Sequence, residues 1–473
     1  MNAYGRLLRP AHRLAARMIV SADQRRVIMA ASLVGTLTLG VKIAALLREM
    51  LVAARLGTSD VVEAYIIAWA FPGFIAQIVS NAVVGALLPL HAAARARQGD
   101  EEGSRVFAEV TLIHVGVLAL VTAVLALAPG VLLPLLAAEF DADKLSLAEH
   151  LWRLMLPNVF VTGVIALWSG MLNAGNRFGL AAASPAVVPV VSGATLLAFP
   201  SRPADALAFG FLLGNLTQLA MLAIELRRHQ IRMLPGWFGG LPETRQLHRQ
   251  FFPLIANGVV FGGLVLVDQA MAATLGDRNV AILSYANKLV LPILGISSAA
   301  LATAVLPYFS RLAAVDDWQT LRQTLRVYTR LIAVVAIPVT IAIVVLSEPI
   351  VRALFQRGEF SAADTADVAA VQATFALAIP FYTIAVLYSR VVVSLRLSHV
   401  MLIGSAAVFL INVVGDYLLK GWIGVQGIAL ASVINYVVQC VFLALVVRWH
   451  WRRHERLTAG TGAEEHCARE GAA

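Results

Sequence analysis

The chain is patterned as long apolar runs separated by short polar connections. Twelve runs, at 28–56, 62–92, 106–136, 150–173, 178–199, 204–226, 251–275, 279–308, 325–346, 366–394, 399–419 and 423–448, are each long enough to cross a hydrocarbon layer as a helix, which takes about 20 residues. Several run longer and predict tilted, broken or overlong helices. The longest polar break, 228–246, divides the runs six and six and predicts two related halves. The second run holds "FPGFIAQIVSNAVVGALLPLHAAAR" and the eighth "LPILGISSAALATAVLPYFSRLA". Each has an early proline (Pro72, Pro292), a small-residue stretch and a later Leu-Pro (Pro89, Pro307), and Pro157 and Pro380 echo each other more weakly in the fourth and tenth runs. Proline within a span kinks the helix and frees a carbonyl.

The pattern predicts an all-α integral membrane protein of about twelve transmembrane helices in two six-helix lobes. The boundaries are a basic N-terminus at 1–27, an N-lobe at 28–227, a linker at 228–246, a C-lobe at 247–449 and a polar tail at 450–473 expected to be disordered. Composition agrees: 59% of residues are hydrophobic and only 14% charged, against roughly 25% in ordinary soluble domains.

Charge fixes the expected orientation. The first connection, "GTSD", has no cation, the second, "RARQGDEEGSR", has three, and the third, "EFDADK", is acidic. Taken together, the later even-numbered connections are again the richer in Lys and Arg, and the chain closes on "RWHWRRHER". By the positive-inside rule both termini lie in the cytoplasm. Residues 1–26 carry six arginines with no cleavage site after a short apolar core, so they predict a retained N-terminus rather than a signal peptide. The net charge of +9 (37 basic minus 28 acidic) is accounted for by this topology, not by a nucleic-acid partner. Cys440 and Cys467 specify neither a disulfide framework nor a metal site. There is no phosphate-binding GxxxxGK[ST] loop and no HExxH spacing among the ten histidines, so no enzyme chemistry is expected.

Charges inside spans cost about 2.5–3.5 kcal/mol each on insertion scales and therefore mark a cavity or a partner. The candidates are Lys42, Arg48, Glu49, Asp268, Lys288 and Asp416. At 1.5 Å per helical residue, Asp268, Asn412, Asp416 and Ser432 fall in one layer of the outer half of the membrane, and Asn412 and Asp416, four apart, share a helix face. Two carboxylates, an amide and a hydroxyl suit a small hard cation; proton binding and polar packing between helices are the other uses of such a set. Lys42, Arg48 and Lys288 would make a cavity attractive to phosphate or diphosphate, although Arg48 could instead snorkel to the interface beside Glu49.

At "LVDQAMAATLGDRNVAILSYANKLVLPILGISSAALATAVLPYFSRL" the chain resembles the MurJ (MviN) family of lipid II flippases, within the multidrug/oligosaccharidyl-lipid/polysaccharide exporter superfamily. "LFQRGEFSAADT", "MLNAGNRFGLAA" and "VKIAALLREMLVAARLGTSDVVEAY" extend the likeness over roughly residues 28–448. The resemblance implies two lobes around a central cavity, and alternating access for an undecaprenyl-diphosphate-linked glycan across a bacterial inner membrane. It implies a substrate site at Lys42, Arg48 and Lys288, with Gln77 and Asn81 as polar wall. It also implies a sodium site, or a proton site, at Asp268, Asn412, Asp416, Ser432 and the carbonyl near Ile428. No cofactor beyond that coupling ion is expected; the expected partners are the bilayer, the glycan lipid and the cell-envelope synthesis machinery.

The chain departs from the family pattern in places. Lys42 and Lys288 stand where arginine is usual; lysine keeps the charge and loses the planar fork that suits phosphate. In "FPGFIAQIVSNAV", Ala76 and Gln77 replace an arginine pair and Asn81 a glutamate. The sequence also ends after the twelfth run, where many members add two spans. Exopolysaccharide or O-antigen lipids are therefore a related alternative substrate class. A drug/cation antiporter and a non-transporting envelope scaffold are the readings from other classes.

Overall fold

A computed structural model describes residues 22–175, 177–231, 234–240, 242–395 and 397–470. The N-lobe comprises α1 (Ala22–Leu56), α2 (Asp60–Gln98), α3 (Asp100–Leu127), α4 (Pro129–Leu136), α5 (Ala142–Met155), α6 (Pro157–Ala174), α7 (Phe178–Ala183), α8 (Val187–Ala198) and α9 (Pro203–Arg228). The C-lobe comprises α10 (Pro242–Ala273), α11 (Asn279–Ala304), α12 (Leu306–Ala314), α13 (Trp318–Val345), α14 (Ser347–Phe355), α15 (Ala362–Ala376), α16 (Ala378–Ser394), α17 (Ser398–Ile423) and α18 (Val425–Glu470). The described residues form no strand.

Every apolar run is helical, and prolines set where several of them break. Pro157 starts α6 at a 42° bend from α5, so the fourth run begins earlier than expected, at Ala142, as a broken helix. Pro307 and Pro129 likewise open α12 and α4 at their first turns, where the missing N–H has no helical partner to lose. Among the described residues nine helices are long and apolar enough to span, ten with the bent pair counted. The expected twelve is not reached on that criterion: α1 and α10 are helical but outside the set, and Gly262–Ala273 of α10 counts as a short apolar helix. The tail expected to be irregular continues as helix to Glu470; its Arg, Glu and Ala content favours helix despite two glycines. Of the basic N-terminus, 1–21 lie outside the described residues.

Many outward-facing positions on these helices are large and apolar, such as Leu120, Val124, Val334 and Leu445, as a lipid-facing surface requires. The linker is tied to the N-lobe rather than loose. Gly236 N donates to Ala108 O at 3.1 Å, and Gly240 N to the fully buried Glu109 at 2.7 Å.

The lobes meet along α2 and α10. A Cβ at Gly258 would stand 3.2 Å from Ile78, and one at Gly262 3.0 Å from Phe74, so these glycines let the two helices approach closely. At the end where α1 joins α2, the lobes are also clasped by polar groups; this is the closed end. Gly57 and Gly358 both take φ +55, a region open to glycine at no steric cost. Glu359 N donates to Ala54 O at 3.0 Å, leaving no room for a side chain at Gly358. Thr58 donates to Asp364 at 2.7 Å, and Arg278 pairs with the same carboxylate. Tyr285 donates its hydroxyl to Gly57 O at 3.0 Å. Lys144 pairs with Glu63, with Asp60 at 2.8 Å and with Asp277 at 3.0 Å. Glu63, itself fully buried, accepts from Val280 N at 2.8 Å and from Ala281 N at 3.3 Å, which are first-turn amides of α11.

Candidate functional site

Beneath the closed end, a cavity of about 640 Å³ opens between the lobes. Arg48 and Glu49 come from α1, Tyr65, Trp69, Gln77 and Asn81 from α2, and Gln269 and Lys288 from α10 and α11. Depth follows from helix rise: Arg48, Trp69 and Lys288 are eight or nine residues from the closed ends of their helices, about 12–14 Å in. Gln77 and Asn81 lie two and three turns further along α2, toward the linker.

At the apex the two lobes share a carboxylate. Glu49 pairs with Arg48 at 2.6 Å on its own helix and with Lys288 from the other lobe. Arg48 also donates to the Tyr65 hydroxyl at 3.2 Å, and the Lys288 ammonium stands 5.0 Å from the Tyr285 ring centroid. Neither cation snorkels to an interface. Two cations against one carboxylate leave the apex with one net positive charge, and among the described residues every other cavity-lining side chain is neutral.

Four of the five residues expected at the substrate site, Arg48, Lys288, Gln77 and Asn81, line this one cavity. Lys42 does not. It lies two turns from Glu49 along α1 and is exposed, on a stretch where Leu39, Ile43 and Leu47 are exposed as well. α1 as a whole packs on α7 and α8 of its own lobe. Glu49, read from sequence as an in-span charge and a neighbour for Arg48, is the group that joins the cations across the lobes.

A second, smaller cavity of about 80 Å³ lies within the C-lobe between α10, α11, α15, α16, α17 and α18. Asp268, Asn412 and Ser432 line it, together with Asn435. Ser432 donates to Asp268 at 3.4 Å and Asn412 to Asp416 at 3.4 Å. Asp416 and Ile428 are fully buried, Ile428 one turn before Ser432 on α18. Four buried acceptor atoms here have no hydrogen-bond donor among the described residues: Asp268 Oδ1, Asp416 Oδ2, Asn412 Oδ1 and Asn435 Oδ1. Unpaired oxygens in a dry interior cost several kcal/mol unless something positive meets them. The donor set, all oxygen with two carboxylates, fits a small hard cation such as Na⁺. Asn435 was missed from sequence; it stands three residues after Ser432, on the same helix face.

The arrangement can be set beside known proteins. A family model described as "Lipid II flippase MurJ" matches residues 52–468. A probable lipid II flippase MurJ of Synechocystis sp. is 28% identical over 441 residues, covering 88% of this chain and 81% of the relative. One from Thermotoga maritima is 26% identical over 406 residues, with coverage of 85% and 82%. A solved lipid II flippase MurJ in an inward closed conformation superposes with a TM-score of 0.77 at 22% identity, over 88% of this chain and 87% of that one. An inward-facing multidrug resistance MATE family transporter of the MOP superfamily superposes with a TM-score of 0.72 at 14% identity, over 88% and 95%. The match of the family model over most of the chain, on a fold shared with a solved member, places this multi-pass membrane protein in the lipid II flippase MurJ family.

Proposed function

We infer that this chain translocates lipid II across the bacterial inner membrane by alternating access. The observation that carries the reading is the cross-lobe cluster Arg48–Glu49–Lys288 at the apex of the cavity. A diphosphate brings oxygens that accept from both cations, in a site where charge-assisted hydrogen bonds are strong. Because one cation belongs to each lobe, the bound headgroup bridges the lobes and couples binding to their relative position. The lipid tail stays in the bilayer beside the cavity. A cavity of this charge disfavours the cationic cargo of a drug antiporter. The closed end faces outward by the distribution of Lys and Arg in the loops, so the cavity in this conformation belongs to the cytoplasm-facing half of the cycle.

The experiment is complementation of a bacterium depleted of its own lipid II flippase. Growth on expression of this chain is the expected outcome. Normal membrane insertion without growth would refute lipid II as substrate and favour another carrier-linked glycan.

We propose that Asp268, Asn412, Asp416 and Ser432, with the Ile428 carbonyl, bind the coupling ion, and that Asn435 joins them. Four unpaired buried oxygens support that assignment. A ligand at one hundred times its Kd stabilises a fold by about 2.7 kcal/mol. Sodium chloride is therefore expected to raise the melting temperature of the purified protein relative to choline chloride. Asp268→Asn should abolish that difference. A salt-independent melt in the wild-type protein, with acid pH stabilising instead, would replace Na⁺ by a proton.

A further inference from the structure

Along α2, Trp69, Gly73, Gln77 and Asn81 recur every four residues and all line the cavity. Residues at that spacing share one helix face. The face begins level with the apex cations and runs toward the linker. We propose that it is a sugar-reading strip, on which Trp69 stacks against the apolar face of a neutral N-acetylated sugar while Gln77 and Asn81 hydrogen-bond its edge. The proposal rests on the glycan-lipid reading above and specifies which part of the headgroup the cavity recognises.

Trp69 is placed as a platform. The pyrrole edge of its indole lies against Gly73, where a Cβ would stand 2.6 Å from Nε1 and 2.7 Å from Cε2. Phe211 of α9 meets the indole edge-on, with centroids 5.1 Å apart. Any side chain at Gly73 would push the ring from this pose. The indole is half-buried, so part of its surface faces the cavity. An aromatic ring held in this way offers a large contact area at little entropic cost.

The amides below it are unspent. Ser80, Thr162 and Asn215 also line the cavity, but their side chains donate to helix carbonyls at 2.6 Å (Ser80 to Ala76), 2.6 Å (Thr162 to Asn158) and 3.0 Å (Asn215 to Phe211). Gln77 and Asn81 are exposed to the cavity and make no hydrogen bond among the described residues, and the same holds for the half-buried Gln269 opposite. Free amide groups inside a membrane protein await a partner that both donates and accepts. A charged ligand group would be better met by Arg or Lys, and among the described residues the cavity wall beyond the apex has none. A pyranose with an acetamido group has what the strip lacks: an apolar C–H face for the indole, and hydroxyl and amide groups for the side-chain amides.

The test compares two probes on the purified protein: undecaprenyl diphosphate without sugar, and undecaprenyl diphosphate carrying a neutral N-acetylated disaccharide. The wild-type protein is expected to bind the second about ten-fold more tightly, the scale of one well-placed aromatic contact. Trp69→Ala and Gly73→Ala should each erase that preference while leaving affinity for the sugarless lipid unchanged, and Trp69→Phe should retain most of it. Gln77→Ala combined with Asn81→Ala should remove the preference for an N-acetylated disaccharide over one without acetamido groups. Equal weakening toward both lipids in Trp69→Ala would show general damage to the cavity and overturn the strip. Equal wild-type affinity for both lipids would overturn it as well, with diphosphate capture intact. Failure of the wild-type protein to bind either lipid would instead refute the glycan-lipid reading.

Discussion

Lys288→Ala is expected to lower lipid II transport in reconstituted vesicles by two to three orders of magnitude without loss of membrane insertion. Lys288 supplies the C-lobe's cation at the cavity apex, and its carboxylate partner Glu49 belongs to the N-lobe. Removing it leaves Arg48 and Glu49 as a self-neutralising pair. The apex then falls from one net positive charge to none, and an arriving diphosphate meets a carboxylate with no surplus cation to offset it. Truncating one member of a buried, hydrogen-bonded charge set typically costs 2–5 kcal/mol, which is about thirty-fold to several thousand-fold. Lys288→Arg keeps the charge and adds a planar fork, so it should retain activity within about ten-fold. Vesicle transport of labelled lipid II, set against the melting temperature of each variant, decides the matter. Near-wild-type transport by Lys288→Ala would remove the cation cluster from the mechanism.

How far the site could be read from sequence depends on what a one-dimensional argument measures. Depth along a helix is simple arithmetic, and depth grouped Asp268, Asn412 and Ser432, which the structure places around one small cavity. The cost of a charge in the bilayer singled out Arg48 and Lys288, which meet. Lys42 satisfied the same cost argument and yet lies outside that cavity, because depth along a helix does not say how far a cavity extends beside it. Glu63, Lys144 and Asp277 were invisible for the opposite reason. They stand at span ends, where charged residues are ordinary, and only tertiary packing turns Glu63 and Lys144 into a buried pair with Asp277 at its exposed edge. Trp69 could not be told from any apolar residue of a span until Gly73 fixed its pose. Pro157 marked the break in the fourth span, but the helix before it reaches back into a connection whose polar sequence hid it.

Glu63→Ala is expected to release the closed end. Glu63 is fully buried, belongs to the N-lobe, and spends one oxygen on two first-turn amides of the C-lobe helix α11 and the other on Lys144. Alanine leaves those amides without their acceptor, although amides at a helix N-terminus have no intrahelical alternative. It also leaves the buried ammonium of Lys144 with only Asp60 and Asp277, whose side chains are 61% and 77% exposed. Breaking a buried pair in this way costs about 3–5 kcal/mol. The cost falls on the closed arrangement alone, since separating the lobes at this end admits water to both orphaned groups. An equilibrium biased by that much shifts about two to nearly four orders of magnitude toward opening. Spin labels at Glu139→Cys and Ala363→Cys, exposed positions on opposite lobes, should report a longer and broader distance in Glu63→Ala, with Cys440 and Cys467 replaced in both backgrounds. Glu63→Gln keeps an acceptor for the α11 amides and loses only the charge, so its distances should fall between the two. Identical distributions in wild-type and Glu63→Ala protein would mean that the Thr58–Asp364–Arg278 contacts and the Gly57–Gly358 interlock hold this end without the buried clasp.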